Sequence, residues 1–156
     1  MVIALGMPPT ESAVVAMDSS GQVLTFGERV DHLYQTGYCF EATVSQMTLV
    51  EALQLLYLLA KVQIGEAKVS QDVTALRQAH HLNFGKAKTL LIGSGCLQNA
   101  SIERDLHDYV DRRNEMAHSL IASFSAQDLA VTFAIGQRLI RFFHAYLLAL
   151  SKRNAA

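Results

Sequence analysis

The stretch from Val44 to Ile64 constrains the fold of this chain more than any other segment. Its apolar side chains recur at steps of three and four residues, the spacing of an α-helix. They are Met47, Val50, Leu53, Leu56, Tyr57, Ala60 and Ile64. The leucines at positions 49, 55, 58 and 59 extend this stripe almost all the way round the helix. Because a helix that is apolar on nearly every side needs neighbours on nearly every side, the pattern predicts a central, buried helix.

The rest of the chain supplies partners for such a helix. Further helical segments are expected over residues 70–79, 86–92, 102–121 and 129–150. Ser70 and Ser101 are the expected N-caps of the first and third of these segments. Ser125 and Asp128 have the spacing of a capping box before the last one. The sequence therefore predicts an all-α, up-and-down bundle of four to five helices over residues 43–154.

Residues 1–42 have a different pattern and are predicted to form a small N-terminal appendage. Ala13–Met17 and Gln22–Phe26 are short β-type runs. The turn-favouring segment Asp18–Gly21 lies between them, so a β-hairpin is expected. A short helix is expected over Gly27–Thr36, ended by Gly37.

Composition and charge exclude several classes of protein. Apolar residues make up 51% of the chain, which is enough for a core and excludes a disordered segment. Thirteen Lys and Arg against fourteen Asp and Glu give a formal charge of −1, so any contact with nucleic acid must come from a local patch. The first basic residue is Arg29, so neither a signal peptide nor a transit peptide is expected. The apolar run Ala52–Ala60 is shorter than the roughly 20 residues of a membrane span. A cytoplasmic protein without membrane contact is expected.

Motifs for cofactors and metals are absent from the sequence. It contains neither a P-loop nor a dinucleotide-binding glycine pattern, and no zinc-protease, EF-hand or di-iron spacing. Cys39 and Cys96 do not form a Cys-x-x-Cys pair, and reduced thiols are expected in preference to a disulfide between them. No cofactor and no metal are therefore expected.

The sequence Arg113-Asn114-x(3)-His118 is the group of residues best suited to chemistry. Asn114 and His118 are four residues apart and share a helix face, and the long side chain of Arg113 can reach toward that face. RNA cleavage without a metal needs a base for the ribose 2′-hydroxyl, an acid for the leaving 5′-oxygen and a cation beside the phosphorane. Histidine suits the first two tasks and arginine the third. One histidine serves as either base or acid, so a two-fold dimer would supply the pair.

This motif, on the third major helix of an all-α bundle, resembles the Arg-polar-x(3)-His signature of HEPN domains, over roughly residues 44–153. The resemblance implies a homodimer with the motif at the dimer cleft, and a metal-independent endoribonuclease of the toxin–antitoxin or defence type. Arg113 and His118 would be catalytic, and Asn114 would orient them. RNA and a cognate antitoxin or nucleotidyltransferase are the implied partners. Some members carry a modifiable Tyr two residues after the His, and here that position is Leu120.

Other interpretations remain open at the level of sequence. Five acids among residues 103–115 surround the motif, and Asp108 is placed to pair with Arg112. The motif could therefore be a polar knot in a non-catalytic, dimeric interaction module. The basic segment Lys61–Lys88 could hold an RNA backbone, although an ordinary solvated face is favoured. His144 also follows an arginine at a permitted spacing, but its aromatic neighbours predict a packed histidine. A small-ligand pocket inside the bundle is a third possibility, which no residue cluster in the sequence supports.

Overall fold

The structure is a computed structural model that describes residues 19–69, 83–118 and 124–155. Five helices occupy these ranges: α1 Ser19–Gln35, α2 Cys39–Gln63, α3 Phe84–Gly93, α4 Ala100–His118 and α5 Ala126–Ala155. Helix α2 packs against α1, α3 and α5, and α4 packs against α3 and α5. No strand occurs in the described ranges. The predicted all-α helical bundle is confirmed.

Helix α2 is the central helix that the apolar pattern predicts, although it begins at Cys39 rather than Val44. Its buried residues include Leu49, Leu53 and Leu58, which belong to the main core together with Phe143 of α5. By length and composition α2 could also cross a membrane, which the shorter run of apolar residues did not suggest. The most apolar stretch of 18 residues in α2 is 61% buried inside the bundle. The core helix of a soluble protein has the same length and apolar composition.

Helix α1 contradicts the predicted hairpin. Gln22–Phe26 is helical, so the second strand is wrong, while Ala13–Met17 lies outside the described residues. A run of only five residues fits either the helical or the strand period, and tertiary packing decides between them. The helix buries Val30 against Ala42 and Phe133. The helix expected over residues 27–36 is the C-terminal part of α1.

Side chains at the helix starts confirm one predicted cap and correct another. The hydroxyl of Ser125 accepts from the backbone N–H of Asp128, whose carboxylate accepts from the backbone N–H of Ser125, as in a capping box. Helix α4 is capped by Asn99 and not by Ser101, because the Asn99 side-chain oxygen accepts from two backbone N–H groups of the first turn. Helix α3 includes Gly85, which was expected to precede it. The predicted helix over residues 70–79, with its Ser70 cap, lies outside the described residues.

A buried polar contact fixes α4 against the two long helices. The Gln46 side chain of α2 donates to the carbonyl of Phe133 in α5 at 2.9 Å and accepts from the Tyr109 hydroxyl of α4 at 3.0 Å. Burial raises the pKa of Tyr109. Gly136 of α5 makes room for this amide, because a Cβ atom there would lie 2.0 Å from its oxygen. The network holds the helix that carries the predicted motif in one orientation.

Candidate functional site

The three predicted site residues lie in the last two turns of α4. The inner side of this helix is formed by Leu106, Tyr109 and Val110, which are buried in the core. Asn114 and His118 are exposed and Arg113 is partly exposed. The structure therefore places the motif at the surface of the bundle and not inside it.

Arg113 has two polar contacts among the described residues, and both are long. Its guanidinium donates to the Asn114 side-chain oxygen at 3.3 Å. A second nitrogen lies 4.0 Å from a carboxylate oxygen of Glu51 in α2, with side-chain exposures of 38% and 41%. An ion pair that is this long and this exposed contributes little, typically below about 1 kcal/mol. Most of the five N–H donors of Arg113 remain available to an external group.

His118 is the last described residue of α4. Within residues 19–69, 83–118 and 124–155, no hydrogen bond or ion pair engages its imidazole. His118 lies five positions after Arg113, which amounts to about 7.5 Å of rise and a rotation of about 140° round the helix axis. The two side chains of one chain therefore leave the helix in different directions.

The neighbouring arginines differ from Arg113 in their partners. Arg112 donates to Asp108 one turn earlier at 2.9 Å, as the spacing predicted. Arg138 of α5 donates twice to Asp105, at 2.7 and 2.8 Å. These two arginines therefore engage two of the five acids among residues 103–115.

His144 has the environment that its aromatic neighbours predicted. Its ring is half-buried, and its Nε2 atom is buried without a partner among the residues that the structure describes. Burial lowers the pKa of this imidazole. His144 is therefore a packed histidine, although its spacing from Arg138 also fits the motif. It differs in this from His118, which is exposed.

The basic segment Lys61–Lys88 is not one continuous charged face. Lys61 is buried and forms an ion pair with Glu66, whereas Lys68 is exposed. Residues 70–82 of the segment, which include Arg77, lie outside the described residues. Lys61 instead lines a cleft of about 490 Å³ at the other end of α4 from the motif. Sequence reasoning missed this cleft because its walls come from segments far apart in the chain.

Metal ligands do not converge in the part of the chain that the structure describes. No group of three or more His, Cys, Asp or Glu side chains there could hold a metal ion. Cys39 and Cys96 are free thiols.

Comparison of the chain with protein-family models, with curated proteins and with solved structures finds no match.

Proposed function

We propose that this chain is a metal-independent endoribonuclease that acts as a homodimer, in the manner of the HEPN domains that its motif resembles. The observation that carries the proposal is that Arg113 and His118 have few hydrogen-bond and ion-pair partners. Both reach the surface on one helix, and their partners in the described residues are weak or absent. A purely structural knot would instead be saturated, as the pair of Arg138 and Asp105 is.

The dimer is part of the proposal because one chain supplies half of the chemistry. The positions of Arg113 and His118 on one α4 are about 140° apart round the helix axis. A two-fold axis near the end of α4 would place each His118 beside the partner's copy of the motif. One imidazole then takes the proton of the ribose 2′-hydroxyl, and the other gives a proton to the leaving 5′-oxygen. Arg113 stabilises the charge on the phosphorane, and Asn114 holds the guanidinium.

The reaction closes a ring on the substrate. The 2′-oxygen forms a bond to phosphorus while the bond from phosphorus to the 5′-oxygen breaks. The products are a 2′,3′-cyclic phosphate and a 5′-hydroxyl end, and no water or metal enters this step. By the same resemblance, a cognate antitoxin or nucleotidyltransferase in the cytoplasm would restrain the enzyme.

The test is cleavage of single-stranded RNA in excess EDTA by His118→Ala, with His107→Ala as the matched control. Both histidines are exposed on α4, and only His118 belongs to the motif. We expect His118→Ala to lose at least about 100-fold in rate, the usual contribution of general acid–base catalysis, while His107→Ala stays active. Arg113→Ala should lose activity, whereas Arg104→Ala, on the same helix, should keep it. Full activity of His118→Ala would refute the proposal.

A non-catalytic, dimeric interaction module is the second candidate, and one observation favours it. Tyr38, Phe40 and Val44, at the start of α2, are exposed apolar residues. Phe40 and Val44 are four residues apart and share a face, which a second copy of the chain could cover. This function predicts a dimer in light scattering that Val44→Asp dissociates, together with no RNA cleavage by the wild-type protein. A monomeric wild-type protein would exclude it.

A further inference from the structure

Lys61 is the one lysine among the described residues that the fold buries. Its ammonium group lies 4.4 Å from the ring centre of Tyr146 and 5.5 Å from that of Tyr57. Glu66, five residues later, forms an ion pair with it. A buried ammonium group is costly unless other groups compensate its charge, and these rings and this carboxylate do so.

The two members of this ion pair are held very differently. The side chain of Lys61 is 11% exposed, whereas that of Glu66 is 54% exposed. Lys61 lies in the last turn of α2, and Glu66 lies in the irregular segment that follows it. The cation is therefore held inside the bundle, while the carboxylate is open to water. An external anion could compete with Glu66 for the ammonium group.

The cleft around Lys61 presents other groups that suit an anion. Gln98 and Asn99 line it, immediately before the N-terminus of α4. The Asn99 oxygen is occupied by two backbone N–H groups, which leaves its amide N–H₂ as the side chain's free hydrogen-bonding group. The N-terminal end of a helix favours negative charge. Phe142 adds an apolar wall, and Glu66 is the sole acidic residue among the described ones that line the cleft.

The protonation state of Lys61 also suits the binding of an anion. Burial lowers the pKa of Lys61, but its interactions with Glu66, Tyr146 and Tyr57 together raise it by more, so the net pKa is above the ordinary value. The ammonium group is therefore positively charged at neutral pH.

We propose that this cleft binds a small ligand through a carboxylate or phosphate group, with Lys61 as the anchor and Glu66 as the internal counterion that the ligand replaces. The cleft lies at the N-terminal end of α4 and the motif at its C-terminal end. A helix of 19 residues is about 28 Å long, so this site is separate from the proposed nuclease site. The two proposals stand or fall independently.

The test is calorimetric titration of the full chain with inorganic phosphate and, in a second arm, with acetate, at matched ionic strength. Glu66→Gln removes the competing carboxylate and leaves Lys61 in place. Glu41→Gln is the control, since Glu41 is an exposed acid of α2 outside the cleft. We expect Glu66→Gln to bind the favoured anion about tenfold more tightly than the wild type, and Glu41→Gln to bind as the wild type does. Preference for phosphate or for acetate identifies the ligand group.

The Lys61→Gln variant provides a second titration if circular dichroism shows that it folds. Combined with Glu66→Gln, it should abolish the gain in affinity. If Lys61→Gln does not fold, the comparison of Glu66→Gln with Glu41→Gln decides alone. Equal affinity of these two variants, or no heat of binding with either anion, would overturn the proposal.

Discussion

Replacement of Gly136 by alanine should destabilise the bundle, although alanine is the better helix former. A Cβ atom at this position would lie 2.0 Å from the Gln46 side-chain oxygen and 2.3 Å from its carbonyl carbon. The Gln46 amide could move away only by giving up its hydrogen bonds with Tyr109 and Phe133. All of these groups are buried, so water cannot replace the lost partners.

The size of the effect follows from these contacts. A buried polar group left without a partner costs about 1–3 kcal/mol, and two bonds are at risk. Overpacking destabilises the fold by about 1 kcal/mol more, and the higher helix propensity of alanine offsets about the same amount. We expect Gly136→Ala to lower the free energy of unfolding by about 3 kcal/mol, which raises the unfolding equilibrium constant by roughly 100-fold.

Urea denaturation followed by circular dichroism measures this change. Gly27→Ala is the matched control, because Gly27 also lies inside a helix but has no atom within 4 Å of an added Cβ. Gly27→Ala should raise the free energy of unfolding by up to about 1 kcal/mol. The double variant Gly136→Ala, Gln46→Ala should recover part of the loss in a double-mutant cycle, since it removes the collision. Equal stability of Gly136→Ala and Gly27→Ala would refute the packing described for Gln46.

Four further substitutions test other contacts, each by chemical denaturation. Arg138→Ala leaves the buried carboxylate of Asp105 without its two hydrogen bonds and should lower the free energy of unfolding by about 1–3 kcal/mol. The partner of Arg112 is half exposed, so Arg112→Ala should lower it by less than about 0.5 kcal/mol. Equal losses in the two variants would contradict this difference. Burial lowers the pKa of His144, so the unfolded chain takes up its proton first, and stability should fall as the pH drops below 6.5. His144→Leu should flatten that slope, and an unchanged slope would show that another group titrates. Ser125→Ala removes the cap of α5 and should cost about 1 kcal/mol, and no loss would mean that water replaces the cap.

The helices of the core could be predicted because their signals are long or chemically specific. The 3.6-residue period over Val44–Ile64 leaves no alternative to a buried helix, and the pair of Ser125 and Asp128 marks the start of α5. The sequence predicts Ser101 as the cap of α4, whereas Asn99 caps it in the structure, and serine and asparagine are equally good caps. Local sequence does not show that Asn99 takes that place.

The site could be predicted only as far as local spacing reaches. The shared helix face of Asn114 and His118 follows from four residues of separation. The contact of Arg113 with Glu51 does not, since these residues are 62 positions apart and meet through tertiary packing. The cleft at Lys61 was missed for the same reason. Local sequence offers only the position of Lys61 at the end of a mostly apolar helix, which does not show that Gln98, Asn99 and Phe142 gather around it.

The most direct test of the central claim is the chemistry of the RNA ends that the protein produces in excess EDTA, read by mass spectrometry. Attack by the 2′-hydroxyl without a metal predicts 2′,3′-cyclic phosphate and 5′-hydroxyl ends, which disappear with His118→Ala. Ends with a 3′-hydroxyl and a 5′-phosphate, or RNA left intact by the wild-type protein, would contradict the account.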